Sequence, residues 1–176
     1  MFDTQRYAAL LSLAMLSLIL LPLGCRSVDI TPAQSARRQF GDAVRLGAVY
    51  QAPGRSGRIE SVQPAVGPSG VEGYVATVWC KSKSNLFPVR VVMDRGFGVL
   101  SATVLSYPSR RGREVQSPRF TKQFRGKGPG DPVKVGKDID AVSGATSSSS
   151  AMADGVRRAI QTARRSLTVN RTDPTY

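Results

Sequence analysis

The sequence predicts an α+β fold in which a small antiparallel sheet is flanked by helices. Three observations lead there. Segments 73–80, 88–93 and 99–107 are dense in β-branched and aromatic residues. They are joined by connections too short for parallel crossovers, namely Lys81 to Asn85 and the turn Asp94-Arg95-Gly96-Phe97-Gly98. Helical signatures lie on either side, one opening at Thr31 and one running to Leu167.

Residues 1–24 read as an export signal, with Arg6 ahead of an apolar core from Tyr7 to Leu23. That core is short for a bilayer span, which takes about 20 residues. Leu21-Pro22-Leu23-Gly24-Cys25 resembles the lipobox of bacterial lipoproteins, although Pro22 and Leu23 depart from its usual residues. The resemblance implies cleavage before Cys25, its lipidation, and an extracytoplasmic domain anchored to the membrane of the cell envelope. An uncleaved helix and a plain cleaved peptide are the alternatives.

The organisation expected is a signal over 1–24, a helix and linker over 25–72, the main domain over 73–167 and a frayed polar tail over 168–176. Thr31-Pro32-Ala33-Gln34 offers a capping hydroxyl, a proline at the first helical position and a glutamine at the third. Ala36, Phe40 and Val44 then mark one helical face, with Gly47 as the stop. Residues 51–73 are rich in proline and glycine, with room for a short strand around Arg58 to Val62. Ser117 to Phe124 is expected to be a short helix ended by Gly126. In the last helix, Met152, Val156, Ile160, Ala163 and Leu167 form an apolar stripe, and Arg157, Arg158, Arg164 and Arg165 fall largely off it.

The formal net charge is +13, and residues 1–24 remove one charge of each sign, Arg6 and Asp3, so the balance survives processing. Such a charge suits nucleic acid or an anionic membrane surface. An exported chain meets lipid and no nucleic acid. With no histidine, Ser-His-Asp hydrolysis and histidine-ligated zinc or haem are excluded. Cys25 and Cys80 are the only cysteines and cannot supply a four-thiolate metal site. Any redox chemistry must therefore be carried by an organic cofactor.

Asp140-Ala141-Val142-Ser143-Gly144-Ala145-Thr146-Ser147-Ser148 leads into the last helix. Ser-Gly-Ala-Thr is a compact turn that leaves a hydroxyl at a helix start, with Thr146 or a neighbouring serine as the expected N-cap. A phosphate there would meet the unpaired amides of the first turn, such as those of Ser147 and Ser148, and the positive end of the helix dipole. That dipole term is worth about 0.3–1 kcal/mol when exposed. On this reading the anion needs no cationic clamp.

The nonapeptide resembles the attachment motif Asp-x-x-Ser/Thr-Gly-Ala-Thr of the FMN-binding domain family, which is related to the FMN-bearing subunits of the Rnf and Na+-NQR complexes. The likeness spans about Gly73 to Leu167 and includes the Phe120 to Lys127 segment. The loop Ser109 to Glu114 departs from the Glu-Thr-Pro-Gly-Leu-Gly of the pump subunits, favouring a stand-alone lipoprotein. The resemblance implies that FMN is bound covalently to Thr146 by a phosphoester, with Asp140, Ser143, Gly144, Ala145 and Ser147 around it. It implies that a flavin transferase using FAD and magnesium makes the bond, and that the loop Ser109 to Glu114 lies beside the flavin. The protein would then be an electron carrier between membrane or periplasmic partners, without a substrate of its own.

Ser143 and Ser147 to Ser150 are alternative hydroxyls. Asp140 is expected to hold the turn through its carboxylate or, failing that, to assist attachment. Trp79 is either a large core side chain or a stacking platform. Cys80 is either a buried filler or, were Cys25 not lipidated, its disulfide partner. The basic residues Arg110, Arg111, Arg113, Arg119, Lys122, Arg125 and Lys127 suit either a redox role or a solvated face towards lipid. The rival reading is a non-redox envelope lipoprotein that uses this basic surface to bind membrane or cell-wall polymer. A nucleotide-binding enzyme is poorly supported, because no Gly-x-x-x-x-Gly-Lys loop is present.

Overall fold

In the computed structural model, the described residues are 31–54 and 57–172. The export signal and Cys25 lie outside them. Thr31 caps helix α1 (Pro32–Phe40) through a full capping box. Its Oγ1 accepts from the Gln34 amide at 3.2 Å, and its own amide donates to Gln34 Oε1 at 3.0 Å. The helix ends at Gly41, short of the expected Gly47. Val44 reaches the same apolar cluster as Ala36 and Phe40 from beyond the helix.

Six strands follow: β1 (Arg45–Leu46), β2 (Tyr50–Pro53), β3 (Ile59–Gly67), β4 (Gly70–Lys81), β5 (Leu86–Asp94) and β6 (Val99–Val104). They form one antiparallel sheet in the order β1-β3-β4-β5-β6, with β2 also pairing with β3. The antiparallel α+β expectation therefore holds. The segment expected to be mostly linker contributes three strands, and the single strand foreseen near Arg58 to Val62 extends to Gly67.

Alternation along β4 and β5 sends side chains to two faces. Ala76, Val78, Cys80, Val89, Val91 and Met93 pack into the larger core, against the long helix α3 (Thr146–Thr172). Val75 and Val92 point the other way, towards Ala36 and Phe40 of α1. Between β6 and α3, a 3₁₀ turn (Arg113–Gln116), the short α2 (Pro118–Thr121) and a second 3₁₀ turn (Lys122–Phe124) replace the one helix expected over 117–124. They place Val115, Phe120 and Phe124 in the core.

Met152, Val156, Ile160 and Ala163 of α3 are buried as their spacing predicts. Leu167 departs from the stripe and is 40% exposed. The helix also continues to Thr172, through residues expected to fray. It approaches the sheet closely at Gly155, where a Cβ would lie 2.3 Å from Cys80 Sγ. No described helix is long and apolar enough to cross a membrane.

Candidate functional site

Thr146 is the first residue of α3, and its side chain is exposed. It is not the N-cap, which falls to Ala145, a residue with no oxygen to offer. Ala145 is 3% exposed and its methyl group belongs to the core. Ser149 instead ties the preceding turn to the helix from inside it. Its Oγ donates to the Ala145 carbonyl at 3.0 Å and accepts from the Val142 amide at 3.1 Å. The Ala145 amide closes the preceding turn on the Val142 carbonyl at 2.9 Å, and Gly144 takes a positive φ of 76° within it.

The hydroxyls of this segment divide sharply. Ser147 Oγ accepts from the Lys83 amide at 3.0 Å, and Ser148 Oγ is 2.6 Å from Tyr107 Oη. Ser149 is committed to Val142 and Ala145. Ser143, Thr146 and Ser150 are exposed, and of these Thr146 stands in the first turn, where backbone amides have no intrahelical acceptor.

Asp140 is exposed, and the bonds found there belong to its backbone: its amide donates to Gln123 Oε1 at 2.8 Å, and Gln123 Nε2 donates to its carbonyl at 3.3 Å. The carboxylate that braces the approach to the turn is that of Asp138. It accepts from the Val133 and Lys134 amides at 3.1 and 2.8 Å and pairs with Lys127 at 3.1 Å. Desolvation alone would raise its pKa, but these partners hold it below the ordinary carboxylate value.

Two loops face the start of α3. The β4–β5 loop brings Lys81, Ser82 and Lys83 to an open groove with Thr146, Ser147, Ser150 and Asp154. A neighbouring cleft of about 320 Å3 is lined by Lys83, Asn85, Ser109, Arg111, Gly112, Gly144 and Ser148, among others. The Ser109 to Glu114 loop therefore sits against the turn at Gly144 and Ala145. Lys81, Lys83, Tyr107 and Gln123 were not singled out from the sequence. Lys83 and Ser147 are 64 positions apart, so no local pattern could have joined them.

Trp79 lines neither the groove nor this cleft. It is half-buried rather than in the core, with the Arg58 guanidinium 4.9 Å from its ring centroid. Cys80 is buried and free. Arg110, Arg111, Arg113, Arg119, Lys122 and Arg125 are exposed, whereas Lys127 is drawn in by Asp138.

A second cleft, of about 430 Å3, lies between β2 and α3. Its carboxylates are already engaged. Asp154 pairs with both Arg157 and Arg158, and Arg158 also reaches buried Glu60 at 3.0 Å and the Trp79 carbonyl at 2.8 Å. Arg158 is thus partly buried, against the expectation of a wet face. Burial alone would lower its pKa, and the Glu60 carboxylate more than reverses this. No group of three or more Cys, Asp or Glu side chains among the described residues is placed to hold a metal.

Residues 85–161 match the family described as the FMN-binding domain. That part of the chain is similar to the FMN-binding domain family. The match takes in β5, β6, the Ser109 to Glu114 loop and the start of α3, and of these the loop and the helix start line the cleft. No curated protein matches the chain. Among solved structures it is similar to the crystal structure of NqrC from Shewanella oneidensis, at 21% identity and a TM-score of 0.48. The similarity covers 64% of this chain and 63% of that one, so the chain spans less than two thirds of that protein.

The residues present fit FMN. An exposed hydroxyl stands at a helix start, cations come from two loops, and the cleft is of a volume usual for small-molecule sites, about 300–1,000 Å3. The helix amides and cations suit a phosphate.

Proposed function

We propose that this protein is an extracytoplasmic electron carrier, anchored by lipid at Cys25, with FMN bound covalently through a phosphoester to Thr146. The observation that carries the reading is the exposed Thr146 hydroxyl at the first turn of α3, within the segment that matches the FMN-binding domain. Bound FMN supplies one- and two-electron chemistry.

The chain's own part is to present one hydroxyl and to orient its surroundings. In attachment, a flavin transferase uses FAD and magnesium. The Thr146 Oγ bonds to the FMN phosphorus of FAD as the phosphoanhydride bond to AMP breaks. AMP leaves, and the hydroxyl proton passes to the transferase or to water. The Ser147, Ser148 and Ser149 bonds keep those neighbouring hydroxyls engaged. Exposure of Thr146 allows a second protein to reach it. Redox partners in the membrane or periplasm would then exchange electrons at the open groove. Covalent attachment suits a compartment poor in free flavin, where a dissociating cofactor would be lost.

The test is co-production with a flavin transferase, denaturation, and detection of flavin fluorescence that travels with the polypeptide. Mass spectrometry should place the added FMN on the peptide containing Thr146, and Thr146→Ala should abolish it. Retention of covalent flavin by Thr146→Ala would move the bond to Ser143 or Ser150. Unmodified protein throughout would leave the rival, an exported lipoprotein whose exposed basic surface binds polymer or lipid.

A further inference from the structure

The polar groups facing Thr146 are unevenly charged. Lys81 and Lys83 line the groove that contains Thr146, and Lys83 and Arg111 line the adjoining cleft from opposite loops. All three are exposed, and no ion pair to any of them is found among the described residues. Asp154 is the acidic residue lining either space, and Arg157 and Arg158 already hold its carboxylate. A phosphodiester carries a single negative charge, so three cations exceed what a phosphate on Thr146 would need.

Lys83 is fixed where it stands. Its amide donates to Ser147 Oγ, one residue beyond Thr146. The opposing loop is fixed as well. Gly112 has φ of 90°, and a Cβ there would come within 2.6 Å of Tyr107 Oη and 2.8 Å of Ser148 Oγ. This close packing holds Arg111 beside the first turn of α3.

We propose that Lys83 and Arg111 are electrostatic positioning residues that make the Thr146 site favour negative charge beyond the phosphate, and so raise the reduction potential of an attached flavin. The proposal rests on the Thr146 reading above. On full reduction, two electrons from an external donor enter with one proton from water. The donor is oxidised, and the site gains one negative charge. Cations within a Debye length, about 10 Å at 0.1 M salt, stabilise that added charge and are screened as salt rises. Lys81, which lines the same groove, adds a field of the same sign.

The experiment uses the full chain flavinylated by co-production with a transferase, as wild type, Lys83→Ala, Arg111→Ala, the double variant, and Lys83→Arg. Mass spectrometry first establishes FMN on Thr146. The midpoint potential is then measured at low and high salt against a viologen dye couple, which supplies the electrons. Fluorescence quenching by iodide, an anion, is compared with quenching by neutral acrylamide.

Each alanine variant should shift the potential downward, the shifts should add in the double variant, and high salt should shrink them. The iodide-to-acrylamide ratio should fall about two-fold or more in the double variant, as expected for unit charges at ~8 Å in a water-like dielectric. Lys83→Arg should keep wild-type values. Unchanged potential and quenching, with FMN present on Thr146, would overturn the proposal and leave the attachment reading standing. Wild-type protein without FMN on Thr146 would overturn both.

Discussion

Tyr107 Oη and Ser148 Oγ lie 2.6 Å apart, joining the end of the sheet to the first turn of α3 across 41 positions of sequence. Asn85 Nδ2 donates to the same phenol oxygen at 3.3 Å, and the Tyr107 ring packs on Phe87 with centroids 4.8 Å apart. Ser148 is 4% exposed, so water cannot readily replace the phenol. Tyr107→Phe should keep the ring contact and strand the Ser148 hydroxyl, costing about 1–3 kcal/mol. Denaturant unfolding checks this. The double variant with Ser148→Ala should cost less than the sum of the two single changes.

The approach of α3 to β4 at Gly155 permits no methyl group. A Cβ at that position would overlap Cys80 Sγ, and the helix is held on both sides by Met152, Val156 and Ala159 in the core. Gly155→Ala should therefore destabilise by about 1–3 kcal/mol despite alanine's better helix propensity. Adding Cys80→Ala removes the clashing sulfur. A rise in denaturation midpoint for the pair above Gly155→Ala alone is the expected result.

Glu60 and Arg158 are a buried pair, with side chains 3% and 14% exposed. Removing Arg158 takes from the Glu60 carboxylate its ion-pair partner in a dry setting, whereas removing Glu60 leaves Arg158 its Asp154 pair and the Trp79 carbonyl. Arg158→Ala should cost about 3–5 kcal/mol and Glu60→Ala less, and the double change should cost less than the sum of the two. A double-mutant cycle read by thermal or urea unfolding gives the coupling.

The legible parts of this protein are those written locally. The Thr31 to Gln34 capping box, the β-branched strands β4 to β6 and the Met152 to Ala163 stripe each declare themselves within a few residues. Strands β1 and β2 do not, and β3 only in its first stretch near Arg58 to Val62, because proline and glycine mask the rest. Pro64 is tolerated in β3 because it falls between the stretch paired with β2 and the stretch paired with β1. At the site, the motif from Asp140 to Ser148 is contiguous and was readable. Of its supports, the Ser109 to Glu114 loop with Arg111 was readable through the resemblance, whereas Tyr107 and Lys83 arrive by tertiary folding. Asp138 and Asp140 both precede the turn, and only the fold shows that the Asp138 carboxylate meets the Val133 and Lys134 amides and Lys127.

Burial pushes the Cys80 thiol up to about 12; Arg158 opposes the rise, and Glu60 and Asp154 add to it. The unfolded thiol titrates near ~8.5. Because the folded value is the higher one, the stability linked to this group is complete below the unfolded value and is lost as pH rises towards the folded one. Between about pH 9 and 11, wild type should lose stability more steeply than Cys80→Ala, whose denaturation midpoint lacks this component. In the native protein, Cys80 should also resist alkylation at pH 8.5 and react once the chain is unfolded.

Ser149 offers the most direct link between stability and the proposed chemistry. Its side chain is fully buried and joins the turn to the helix, bonding to both Val142 and Ala145. Ser149→Ala should leave the Val142 amide unsatisfied and loosen the turn that presents Thr146, at a cost of about 1–3 kcal/mol, typical of a stranded donor. The Thr146 hydroxyl itself remains. The expected outcome is slower FMN incorporation by the transferase, read by mass spectrometry over time, with the final bond still on Thr146. Ser150→Ala removes an exposed hydroxyl one residue further on, outside these bonds, and should match wild type in both stability and rate.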